Sequence, residues 1–140
     1  RFTSVGLGGS IVPFPWLDFV WNSGYSWSFS ETKAEVNAYG KNVRSATQRV
    51  KMNTHIGKKL TMTASLEDNY NSLTAVNRHV WFGDVAVKLK CKRTDLELQL
   101  NNLLNQQSYT SVNYSGLDIY SYTSQLRSRN VLVTVRFKLL

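Results

Sequence analysis

Between Trp16 and Phe29 the chain alternates apolar and polar residues with period two, for longer than an ordinary strand of about 5–6 residues. Leu17, Phe19, Trp21, Tyr25, Trp27 and Phe29 share one parity. Asp18, Asn22, Gly24, Ser26 and Ser28 share the other, with Val20 the exception. Successive strand side chains point to opposite faces, so this segment predicts a strand with one greasy face and one wet face.

The same rhythm recurs downstream. Val50, Met52 and Ile56 oppose Arg49, Lys51, Asn53 and His55, and after Gly57-Lys58-Lys59 the set Leu60, Met62, Ala64, Leu66 opposes Thr61, Thr63, Ser65, Glu67, which predicts a hairpin. Trp81, Val85, Val87 and Leu89 oppose Asp84 and Lys88, then Leu96, Leu98 and Leu100 oppose Glu97, Gln99 and Asn101. A C-terminal run sets Val131, Val133, Val135, Phe137 and Leu139 against Asn130, Thr134, Arg136 and Lys138, with Leu132 out of step. Adding a weaker opening strand at Phe2 to Gly8 gives about seven strands and no helical stripe, hence an all-β antiparallel fold.

The connections alternate in length. Short breaks are read at Ile11 to Pro15, Gly57 to Lys59 and Lys90 to Thr94, and long polar ones at Ser30 to Val43, Asn69 to Arg78 and Leu104 to Gln125. An up-and-down meander with short turns at one end and long loops at the other is the plan of transmembrane β-barrels. The faces fit that plan: Trp16, Trp21, Tyr25, Trp27, Phe29, Trp81 and Phe137 suit interfacial girdles. The opposite parity carries Asp18, Lys51, His55, Glu67, Asp84, Lys88, Glu97 and Arg136, too many charges for a small dry core and acceptable in a wet lumen.

Composition narrows the alternatives. The 140 residues suffice for one domain, and 17 Lys and Arg against 9 Asp and Glu give a net charge of +8. A basic balance points first to a phosphate-binding surface. Yet Lys58, Lys59, Lys88, Lys90, Lys92, Arg93, Arg136 and Lys138 gather at the short breaks and the C-terminus, which fits a basic rim at one mouth of a barrel better. Aromatics at 12% argue against disorder, and no apolar run approaches the roughly 20 residues of a membrane helix. A single cysteine, Cys91, excludes an internal disulfide and a Cys-rich zinc site. The chain opens at Arg1 with no signal core before the patterned sequence, and about seven strands is odd where bacterial barrels close with even numbers. The expectation is a piece of a larger wall.

Two stretches carry a more specific likeness. Leu98-Gln99-Leu100-Asn101-Asn102-Leu103-Leu104-Asn105 followed by Tyr109, and Tyr120 to Leu140, resemble the closing strands of TonB-dependent outer-membrane receptors of the Bacteroidetes type. That family ends on an NNLFN segment, a Tyr/Ser-rich loop and a final strand of the form Y-x-L-R-P-R-x-V-L-L-S-V-x-F-K-F. Asn101, Asn102, Leu126, Arg127, Arg129, Val131, Leu132, Val135, Phe137 and Lys138 occupy matching positions. Ser128 replaces the proline between the arginines, and Leu139 stands where the terminal aromatic belongs. The upstream strands, Trp16-Leu17-x-Phe19 and the Gly57-Lys58-Lys59-Leu60 hairpin, are similar mainly in rhythm.

The resemblance implies the C-terminal third or so of a 22-stranded barrel in a bacterial outer membrane, with short periplasmic turns and long extracellular loops. It further implies uptake of an extracellular nutrient such as a glycan, peptide or metal chelate. The implied partners are outer-membrane lipid, the remaining strands and plug of the receptor, TonB acting through that plug, and in some cases a surface lipoprotein. Nucleic acid, cofactor and metal are not expected. A complete eight-stranded membrane barrel, or a soluble basic β-barrel binding nucleic acid, remain the other readings of the same pattern.

Nothing predicts catalysis. His55 and His79 have no HxH or HExxH spacing, Asp95 and Glu97 share a strand face but nothing separates their acidities, and no nucleophile elbow, P-loop or dinucleotide fingerprint occurs. Ligand contact is the role left, and Tyr109, Tyr114, Tyr120 and Tyr122 in the last long connection are the candidates, since aromatic faces with hydroxyls suit sugars and peptides.

Overall fold

The computed structural model of this chain describes residues 2–33, 38–74, 77–115 and 118–138, with side chains outside 30–41 and 113–119. Among the described residues nine strands follow one another: β1 (Phe2–Phe14), β2 (Leu17–Lys33), β3 (Ala38–Ile56), β4 (Leu60–Asn71), β5 (His79–Lys90), β6 (Thr94–Asn101), β7 (Ser108–Ser115), β8 (Asp118–Gln125) and β9 (Asn130–Phe137). Seven form one antiparallel sheet in the order β1-β2-β3-β4-β5-β6-β9, and β7 pairs only with β8. The all-β antiparallel expectation is met, and the main sheet of the described residues holds seven strands.

Three connections differ from the sequence reading. The opening strand runs on through Gly8-Gly9 to Phe14, so the turn is only Pro15-Trp16. Pro13 is accommodated at an irregularity, where the register of β1 against β2 shifts between Ile11 and Phe14. The read loop at Ser30 to Val43 is mostly strand, with β2 and β3 paired out to Lys33↔Ala38. The last long connection is a hairpin, not a loop, with β7 and β8 in register from Ser108↔Gln125 to Ser115↔Asp118.

The other two short turns lie where the sequence reading put them and are tightly made. Gly57 takes φ +62, left-handed backbone that an L side chain resists. At the next turn Cys91 N donates to Thr94 O at 2.8 Å. Gly57→Ala is therefore expected to cost about 1 kcal/mol, read as a lowered unfolding midpoint. Beside the first turn the Phe14 and Trp16 rings stack at 5.3 Å, and His55 N donates to Trp16 O at 2.7 Å.

The molecule has almost no interior. Val80 and Val112 are its buried hydrophobic residues among those described, and no side chain is fully buried. The accessible surface is 10,609 Å²; a globular protein of this mass exposes about 7,400 Å². The sheet is a single layer.

Candidate functional site: a two-faced wall and a roofed cavity

The register sorts the side chains of that layer by chemistry. One row runs across all seven strands as Ile11, Phe19, Met52, Ala64, Val85, Leu100 and Val131, without a polar residue. The next row toward the short turns holds Leu17, Thr54, Met62, Val87, Leu98 and Val133. Beyond it lie Ile56, Leu60, Leu89, Leu96 and Val135. Most of these side chains stand in the open: Ile11 is 61% exposed, Val131 61% and Val133 63%.

The apolar band is not level. Measured from the row through Phe19 and Val131, the band on β2 (Leu17 to Phe29) is centred about four residues toward the long-loop end. On β9 (Val131 to Phe137) it is centred about three residues toward the short-turn end. Between those strands lie five strand-to-strand steps, so the band slips by about 1.4 residues per strand.

The other face is a polar lattice. Arg49 Nε donates to Glu67 Oε2 at 2.7 Å, and Asn69 Nδ2 donates to Glu67 Oε1 at 2.9 Å. Thr47 donates to Asn69 Oδ1 at 3.0 Å, and Thr63 to Asn53 Oδ1 at 3.0 Å. Asp18 faces His55 Nε2 at 3.2 Å, while Arg136 reaches Glu97 at 3.6 Å and Lys138 reaches Asp95 at 3.2 Å. Such half-exposed pairs each contribute at most about 1 kcal/mol; what they establish is which face is wet. Of the ion pairs among the described residues, Asp68 with His79 at 2.9 Å lies on the apolar parity, at the long-loop limit of the band beside Trp81.

At the long-loop end the β7–β8 hairpin folds over this polar face. Asn71 Nδ2 donates to Val112 O at 3.1 Å, and the Phe82 and Tyr109 rings meet at 6.0 Å. That cover explains why Val80 and Phe82, apolar residues on the wet parity, are tolerated there.

Asparagines set the hairpin's neck. Asn102 and Asn105 both take φ +54, which asparagine tolerates better than most residues. Asn102 Nδ2 donates to Gln106 O and Arg127 O at 2.8 Å each, and its Oδ1 accepts from Gln106 N at 2.8 Å. Asn105 Oδ1 accepts from Arg129 N at 3.0 Å. Leu104 packs across the wall on the apolar side, its Cγ 3.8 Å from where a Cβ on Gly83 would lie. The NNLLN run thus ties both ends of the excursion to the sheet.

Between hairpin and wall lies a cavity of about 670 Å³, whose lining includes Phe2, Ser26, Ser28, Ser45, Thr47, Asn69 and Tyr109. Of the four tyrosines expected to meet a ligand, Tyr109 lines it. Tyr120 and Tyr122 are 59% and 70% exposed on β8, and the Tyr114 side chain lies outside the described residues. The serines of β2 and β3 and Asn71 were not singled out from the sequence; their signal, small polar residues on the wet parity beside an unusually long loop, is weak. No group of three or more His, Cys, Asp or Glu among the described residues could hold a metal ion. Comparison with protein-family models, curated proteins and solved structures gives no match, so geometry and residue chemistry carry the functional reading.

Proposed function

We propose that this chain is wall and surface-loop structure of a transmembrane β-barrel in a bacterial outer membrane, part of a TonB-dependent receptor that imports an extracellular nutrient. The observation that carries the membrane part is the exposed, tilted apolar band on a one-layer sheet. Left in water, that face would expose a contiguous apolar surface far beyond the few hundred Å² usual for soluble monomers. A slip of about 1.4 residues per strand, at about 3.3 Å per residue and about 4.8 Å between strands, corresponds to a strand tilt of about 44°. Membrane barrels tilt by roughly 35–45°. At that tilt the band from Leu17 to Phe29 has a height of about 28 Å, a few ångströms above the roughly 25 Å apolar belt of such barrels.

The receptor part rests on the resemblance of Asn101 to Asn105 and of Leu126 to Lys138 to the family's closing strands. The Asn102 and Asn105 geometry supplies a physical reason for that motif. On this reading β1 and β9 would each pair with further strands, satisfying the edge groups that lipid leaves bare. The short turns with their lysines and arginines would lie in the periplasm, and the β7–β8 hairpin outside the cell. These strands would supply wall and loops, with no catalytic residue; ligand release would depend on the plug and TonB.

A soluble nucleic-acid binder would set its aromatics and cations on one face. Here Trp21 shares the band with Val50, while Lys51 and Arg49 lie on the opposite parity. Self-contained bacterial barrels close with an even strand number, and the main sheet of the described residues has seven. The test is fractionation followed by gel mobility. The protein is expected in outer membranes after a urea wash and to migrate differently before and after boiling, with substrate uptake stopped by a protonophore. Recovery in the soluble fraction would contradict the membrane reading, and uptake indifferent to the protonophore would contradict the receptor reading.

A further inference from the structure

We infer that the cavity under the β7–β8 hairpin is a binding site for an uncharged, hydroxyl-rich ligand, a neutral oligosaccharide, with Tyr109 as its stacking platform. The inference rests on the reading above only in taking the long-loop end to face the medium. A volume of about 670 Å³ lies within the roughly 300–1,000 Å³ of ligand pockets.

The lining fits that chemistry. Its floor is the wet parity of β2 and β3, where Ser26, Ser28, Ser45 and Thr47 present short hydroxyls and leave room above the sheet. Ser26 and Ser45 share one hydrogen bond at 2.6 Å. Each hydroxyl has one proton and two lone pairs, so the pair retains one donor and several acceptors for a ligand. Among the described side chains no carboxylate and no lysine lines the cavity, and Arg78 is the one cation. An oligosaccharide offers alternating donors and acceptors to such hydroxyls and an apolar ring face to an aromatic. A charged peptide would find few ionic partners.

The roof is set independently of the floor. Asn71 is anchored in its own turn, its Oδ1 accepting from Leu73 N at 2.9 Å, while its Nδ2 reaches across to Val112 O. Asn71 therefore ties the sheet to the hairpin, beside the Phe82–Tyr109 ring contact. With the hairpin's neck held by Asn102 and Asn105, Tyr109 is held over the cavity through its contact with Phe82.

The experiment presents the native protein, extracted in detergent and still heat-modifiable, to an array of neutral and acidic oligosaccharides and short peptides. Retention of at least one neutral oligosaccharide is expected, with acidic oligosaccharides and peptides not retained. Tyr109→Ala should weaken that binding about tenfold. Ser45→Phe, which fills the floor from the wet side, should abolish it while heat-modifiability persists. Failure to retain any neutral oligosaccharide overturns the site and leaves the wall reading intact. So does binding unchanged by both variants, or retention of peptides or acidic sugars alone. Neutral-sugar binding by a protein that proves soluble and not heat-modifiable would instead overturn the wall reading and leave the site.

Discussion

Val133→Arg is expected to remove most of the assembled protein from the outer membrane, while Thr134→Arg, one residue along, leaves it in place. Val133 sits in the middle of the β9 apolar run, cross-strand from Leu98, and is 63% exposed on the apolar face. An arginine there meets hydrocarbon on the proposed reading, a cost of roughly 2–4 kcal/mol at the bilayer midplane. That is a large share of the 5–15 kcal/mol that holds a typical fold together. Thr134 lies opposite Glu97 on the wet parity, where a new cation finds both water and a carboxylate. Heat-modifiable band intensity reads both variants. Equal loss, or no loss in either, would contradict the assignment of faces.

The second large effect falls at the neck of the hairpin. Asn102→Ala loses a side chain with three hydrogen bonds and forces an alanine to φ +54. Each neutral hydrogen bond contributes about 0.5–1.5 kcal/mol, and left-handed backbone costs a non-glycine residue about 1 kcal/mol. Allowing for partial exposure, a loss of about 2–3 kcal/mol is expected, seen as a lowered unfolding midpoint. Protease sensitivity should rise first at the hairpin. Asn102→Gly separates the contributions: it relieves the backbone and should recover about 1 kcal/mol of that loss. If alanine and glycine behave alike, the left-handed conformation contributes nothing.

How far the wall could be read from the sequence depended on contrast between its two faces. Alternation was plain wherever one parity carries Phe19, Met52, Val85 or Val133 and the other carries charge. It vanished where both faces of a strand are polar. The stretch Ala38 to Asn42 continues β3 beyond the apolar band, and its Tyr, Gly, Lys and Asn give no period to detect. Strands β7 and β8, rich in Ser, Thr, Asn and Tyr, read as loop for the same reason, although they are fully paired.

Glycine hid the second half of β1. Gly8-Gly9 punctuates a sequence as a loop would, yet both positions pair with β2, at Asn22 and Trp21. The cavity was the least legible feature, because it depends on a hairpin folding back over the sheet. Only the out-of-step Val80 and Phe82 hinted at a cover, and a one-dimensional pattern cannot say what provides it. The tyrosines drew notice by composition alone, and one of them, Tyr109, meets the cavity.

The central claim is that one parity of this sheet faces lipid and the other faces water. Spin labels introduced singly from Val131 to Arg136, in protein whose Cys91 has been changed to serine and which is reconstituted in bilayers, test it directly. Labels at 131, 133 and 135 should relax faster with oxygen, which partitions into lipid, and labels at 132, 134 and 136 with a water-soluble nickel chelate. Equal access to the nickel chelate along the whole strand would contradict the account.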